Sequence, residues 1–148
     1  MYYPDLTPYV YYQSMRTLVP IPYDPNTLNV GWLDRTQPYA QGGTSEEFQD
    51  RLFEFCQSPV MVTRGVHQCS FCEFRGRTER GGKKLWLGHA EIRVIGKGGK
   101  IYAAPTLVYH YVVDHHYCPP EEFIQAVLEG PLPGSPEHEA LKKTGRWD

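Results

Sequence analysis

The sequence predicts an α+β fold in one compact domain, a β-meander packed with about three helices. Three observations carry that expectation. A chain of 148 residues has the length of one domain and can bury a core without help. Segments near 44–58, 105–116 and 118–130 carry helical signals. Between them, residues 73–104 read as short β-arms separated by glycine-rich turns, "ERGGKK" and "GKGGK".

The elements can be justified in chain order. Residues 1–43 are rich in proline and tyrosine; "TPYVYY" and "LNVGWLD" read as short strands joined by the turn-rich "PIPYDPNT". "QGGTSEEFQDRLFEFC" is a helix start: Thr44 can cap it, Glu47 follows three residues later as a capping box, and Phe48, Leu52, Phe55 and Cys56 share one face. Pro59 ends that helix, and "SPVMVTRG" reads as a strand. The meander then has arms at Glu73–Thr78, Leu85–Ile95 and "KIYAA", with Ala90, Ile92 and Val94 on one face of the second. Pro105 suits the first position of a helix, "PTLVYHYVVDHH". "CPPEEFIQAVLEG" is the next, with acids at its start and Gly130 at its end. Residues 1–130 are expected to form the domain; 131–148 read as a proline-containing linker, "PLPGSP", and a short capped helical tail.

Composition narrows the function classes. With 41% hydrophobic and 22% charged residues the chain is that of a globular protein, and a net charge of −2 gives no overall pull toward nucleic acid or membrane. The N-terminus lacks the basic and apolar regions of a signal peptide, and the apolar runs are too short to span a bilayer. Four cysteines without an export signal point to metal binding before disulfides, so a cytoplasmic location is expected.

The metal signal is "HQCSFCEF", residues 67–74. Cys69-x-x-Cys72 is a zinc-knuckle spacing that turns both thiolates to one side of a tight turn. A tetrahedral site needs two more donors, and "YHYVVDHHY" supplies His110 and His115 with four residues between them, within the range of Cys2His2 sites. Knuckle, hairpin and histidine-bearing helix then form a ββα-like layout. The 37 residues between Cys72 and His110 far exceed the ~12 of a DNA-reading finger, so the site is embedded in a larger domain. The expected set is Zn2+ on Cys69, Cys72, His110 and His115. His67 and His116 stand as alternative ligands or as partners that hydrogen-bond a ligand and hold it in place, His67 more the latter. Cys56 reads as a buried core thiol and Cys118 as structural.

Two other features bear on chemistry. His89-Ala90-Glu91 matches the H-x-E element of zinc deaminases, yet here the cysteines precede it, Gln68 replaces the expected proline, and the motif lies in a strand pattern. It reads instead as an exposed His and Glu on a β-arm. From Glu73 to Lys100, eight basic residues meet three acidic ones, a local excess of +5. Arg75, Arg77, Arg80, Lys83 and Lys84 are the candidate contacts to an anion or nucleic acid; solubility and protection of strand edges are the favoured explanation of such charges.

Residues 67–127 also resemble a set of small, largely uncharacterised bacterial proteins. The residues that carry the likeness are His67-x-Cys69-x-x-Cys72, "AEIRVIGKGGKIYAAP", His110-Tyr111 with His115, and "YCPPEEF"; "LNVGWLD" extends it toward the start. The resemblance implies one compact metal-binding domain and no particular activity.

The functional expectation is therefore a zinc-binding, non-enzymatic interaction module that binds a protein partner, of an accessory or immunity type. A nucleic-acid-binding zinc domain using residues 75–100 is the alternative. A zinc hydrolase or deaminase, with water in place of one ligand and Glu91, His89 or His116 as acid/base, is the third.

Overall fold

The computed structural model describes residues 2–10, 24–62 and 65–147. Its centre is a three-stranded sheet of β1 (Thr27–Asn29), β4 (Glu91–Ile95) and β5 (Ile101–Pro105), in the order β1-β5-β4. β4 and β5 are antiparallel across the glycine turn, whereas β1 pairs parallel with β5, Leu28 opposite Tyr102. A separate antiparallel hairpin is formed by β2 (Arg77–Arg80) and β3 (Lys83–Trp86). Four helices complete the α+β domain: α1 (Glu46–Gln57), α2 (Val108–His115), α3 (Glu121–Glu129) and α4 (Pro136–Gly145).

Side-chain alternation along the strands sorts the core into two layers. Ile92 and Val94 of β4 and Tyr102 and Ala104 of β5 pack with Phe48, Leu52 and Phe55 of α1, Val108 and Val112 of α2, and Phe123 and Val127 of α3. Each such fully buried aliphatic or aromatic side chain is worth roughly 1.5–3 kcal/mol. Ile95, Ile101 and Ala103 point the other way and meet Tyr9, Trp32, Val60, Met61 and Trp147. Every residue of β4 and β5 is consequently buried.

Several boundaries differ from the sequence expectation, each for a local reason. The N-cap of α1 is Ser45, whose side chain accepts from the Phe48 backbone N–H at 3.1 Å; Thr44 instead accepts from the Gln49 side chain, and Glu47 falls one position short of a capping box. The expected 85–95 arm is two strands, because the chain turns out of β3 at Gly88. There φ is +103°, and a Cβ would lie 2.5 Å from the His67 carbonyl oxygen, which leaves glycine as the residue that fits. So the region is a hairpin and a β4–β5 pair in different sheets, not one meander. Pro105 ends β5 and does not open α2, which begins at Val108. "SPVMVTRG" contributes a single bridge, Val60 with Glu91, and Met61 sits at φ +50°; Thr63 and Arg64 lie outside the described residues. The strand expected over "TPYVYY" lies partly there too: Pro8 bridges Leu28, while 11–12 are not described, nor are 20–23 of the expected turn.

The ends of α3 and α4 tie the fold together. The Arg51 guanidinium donates to the Val127 and Gly130 carbonyls at 2.6 and 3.0 Å, a cation closing the C-terminus of α3. Ser135 caps α4, and His138 in its first turn is buried, donating through Nε2 to the Arg93 carbonyl at 3.0 Å. The Trp147 carbonyl accepts from the Met61 N–H, so the segment after residue 131 is packed onto the domain. No helix among the described residues is long and apolar enough to cross a membrane.

Candidate metal centre

The cysteine pair sits on the turn that precedes the hairpin, and the histidines lie on α2, about one and a half turns apart, His115 at its last residue. Tyr111 and Val112 bury the helix between them, and α2 ends where His116 takes a left-handed conformation at φ +55°. This geometry brings the donor atoms of Cys69, Cys72, His110 and His115 within 4.8 Å of one another. Cys69 Sγ is 3.4 Å from His115 Nε2, and Cys72 Sγ is 3.3 Å from His110 Nε2. Zinc–sulfur and zinc–nitrogen bonds of about 2.3 and 2.0 Å at a tetrahedral angle place neighbouring S and N donors about 3.5 Å apart, so the spacing fits a single ion. It is the one group of three or more such donors among the described residues.

The surroundings orient these donors. His110 Nδ1 donates to Asp114 Oδ2 at 2.7 Å, which leaves Nε2 as the lone-pair nitrogen facing the cysteines. The Phe74 ring stacks on His110 at 3.9 Å between centroids, and Phe71 lies tilted against His115 at 5.2 Å. The Tyr39 hydroxyl donates to the His115 carbonyl, fixing the end of α2. At the knuckle, the Phe71 N–H donates to Cys69 Sγ at 3.4 Å. Burial pushes the Cys69 thiol up, against the pull of the N–H donors of Phe71 and Cys72. Burial likewise holds the His110 imidazole below its usual value, with Asp114 opposing it, so the ring is neutral and able to ligate near neutral pH. A cation would supply what keeps the thiolate charged.

The remaining candidates separate clearly. His67 and His116 are exposed and lie outside the cluster; His67 contributes its backbone N–H to the Gly88 carbonyl, and His116 its carbonyl to Gly42. Glu91 is not the exposed strand residue its sequence suggested. It is 2% exposed, its Oε1 accepting from the Tyr9 hydroxyl at 2.9 Å and pairing with Arg93 at 2.7 Å on the face of β4 turned from the helices. The deaminase arrangement of His89 and Glu91 around the cysteines is therefore absent. Arg80 is likewise no free anion contact: its guanidinium is bound by Asp50, Glu46, Gln49 and Tyr109. Arg75, Arg77, Lys83 and Lys84 are exposed. Cys56 is buried on α1, its thiol directed to the Thr106 carbonyl at 3.7 Å, and Cys118 is half-buried.

Sequence reasoning missed Asp114 and Phe74. Asp114 had a signal, a carboxylate one turn after His110 on the same helix face. Phe74 had none, since its stacking depends on how the knuckle folds back over α2.

The family model described as "Domain of unknown function (DUF7919)" matches residues 1–128. The chain belongs to that family. The DUF7919 span includes all four donors and ends within α3, so α4 lies beyond it. No curated protein and no solved structure matches the chain.

Proposed function

We propose that this DUF7919 protein is a non-catalytic binding module in which Cys69, Cys72, His110 and His115 hold a structural Zn2+. One observation carries the reading: four protein donors, two sulfur and two nitrogen, fall within 4.8 Å. Two thiolates and two imidazoles in a tetrahedral shell suit zinc, and four protein ligands leave no position for a reacting water. The ion's contribution is to bind the knuckle to the end of α2, and with it the hairpin that follows. The carboxylate nearest to a catalytic pattern, Glu91, is spent on Arg93 and Tyr9, which supports binding over hydrolysis.

The partner expected from sequence is a protein, and no particular patch favours it. The outer face of the β2–β3 hairpin favours the nucleic-acid alternative.

The test is metal analysis with X-ray absorption at the zinc edge on the protein as purified. The expected result is one zinc per chain with two sulfur ligands near 2.3 Å and two nitrogen ligands near 2.0 Å. A shell of three protein ligands and a water oxygen overturns the structural reading.

A further inference from the structure

The hairpin has two unlike faces. Residues directly opposite in an antiparallel pair share a face, so Thr78, Leu85, Arg80 and Lys83 lie on one side and Arg77, Trp86, Glu79 and Lys84 on the other. The first side is used: Leu85 packs on the helical core and Arg80 is held by α1 and Tyr109. The second side is open. Trp86 is 62% exposed, whereas Trp32 and Trp147 are each 5% exposed. The Arg77 guanidinium lies over the Trp86 ring, 5.7 Å from its centroid. Lys83 and Lys84 stand at the tip and Arg75 at the base, and among the described residues none of Arg75, Arg77, Lys83 and Lys84 has an ion-pair partner. Glu79 on the same face and Glu73 before it offset part of that charge.

We infer that this face binds single-stranded nucleic acid, with a base stacked on Trp86 and phosphates on Arg75, Arg77 and Lys84. The inference rests on the reading of the chain as a metal-held binding module and names its partner. An open aromatic plane interleaved with unpaired cations is what single strands select: the ring accepts any base and the cations follow the backbone. An acidic protein segment satisfies the cations alone, because carboxylates gain nothing from the negative face of an indole ring. A duplex offers phosphates and groove edges but keeps its base faces stacked inside, so the Trp86 ring finds no partner there. Base and phosphate contacts of this kind are common to DNA and RNA.

The experiment titrates zinc-loaded, full-length protein with a twenty-residue oligothymidylate, following tryptophan fluorescence and anisotropy. Trp86, as the exposed indole, is the reporter. Binding should quench it, and should weaken on the order of 20-fold between 50 and 200 mM salt if three phosphates are neutralised. Trp86→Ala should weaken binding roughly ten-fold or more at low salt, with zinc content and melting unchanged, and Trp86→Phe should retain most of it. Arg75→Gln with Lys84→Gln should flatten the salt dependence, and Lys83→Gln on the other face should leave it unchanged. Zinc-loaded, folded protein that fails to bind oligothymidylate overturns the inference while leaving the zinc reading intact. Absence of zinc from purified, folded protein strikes the zinc reading instead. A duplex bound as tightly as the single strand, or polyglutamate bound as tightly and independently of Trp86, also overturns it, the latter in favour of an acidic protein partner.

Discussion

Two polar clusters flank the central sheet, one open to solvent at Cys72 and the other fully buried. On the helical side, Cys69, Cys72, His110 and His115 converge from segments 37 residues apart with no charge partner among themselves. On the other side, Glu91 and Arg93 lie two residues apart on β4 and neutralise each other, with Tyr9 donating to the carboxylate and its ring 4.6 Å from the Arg93 guanidinium. Burial works against the Arg93 charge, and Glu91 and Tyr9 more than offset it, holding its pKa above the usual value. The second cluster is complete as the chain folds. The first is a set of four donors close enough to hold one metal ion and, on the proposed reading, is completed only by a cation from outside. The difference teaches how the two can be broken. The ion pair fails when either partner is removed, while on the proposed reading the cysteine–histidine group would fail whenever its ion is withdrawn, with the sequence intact.

Cys69→Ser tests the larger of these dependencies. Loss of a thiolate ligand should abolish stoichiometric zinc and cost at least about 5 kcal/mol, below the roughly 10–16 kcal/mol that zinc supplies to isolated fingers because this domain has its own core. Denaturant unfolding with metal analysis reads both; unchanged melting of a metal-free variant would refute the clasp. Arg93→Met should follow closely, at about 3–5 kcal/mol, since Glu91 is then left charged in a buried site. Adding Glu91→Leu should return much of that loss, and a double variant no better than the single would show that the pair is more than mutual neutralisation. Asp114→Asn should be smallest. It keeps the shape but removes the negative partner of His110, so zinc affinity in a chelator competition should fall about 10–100-fold, with the ion pair on the far side unaffected.

The same comparison explains what the sequence made legible. Cysteines at x-x spacing are rare enough to announce themselves, and two histidines at zinc-site spacing supply the complement. Helices α1 and α3 were readable from the spacing of Phe48, Leu52 and Phe55 and from the Pro120–Gly130 boundaries. His89 and Glu91 read as exposed in the sequence because alternating polar residues mean a solvated side in most antiparallel strands, yet Glu91 is buried. Here Tyr9, Trp32 and Trp147 cover that side, and they come from both ends of the chain. The parallel β1–β5 pairing was illegible for a similar reason: Leu28 meets Tyr102 across more than seventy residues, and no local spacing encodes it. Ser45 displaced Thr44 as the helix cap through one hydrogen bond, a choice that composition does not separate.

The 37 residues between Cys72 and His110 also set a timetable. At synthesis rates of about 5–20 residues per second, the cysteine pair leaves the ribosome roughly 2–7 seconds before its histidines. During that interval two thiols are exposed to oxidants with only half of a metal shell to protect them. The second half arrives on α2, after β2 to β5 have been made. On the proposed reading, capture of the ion would act as an inspection step: the metal would stay only on a chain whose middle has already been assembled.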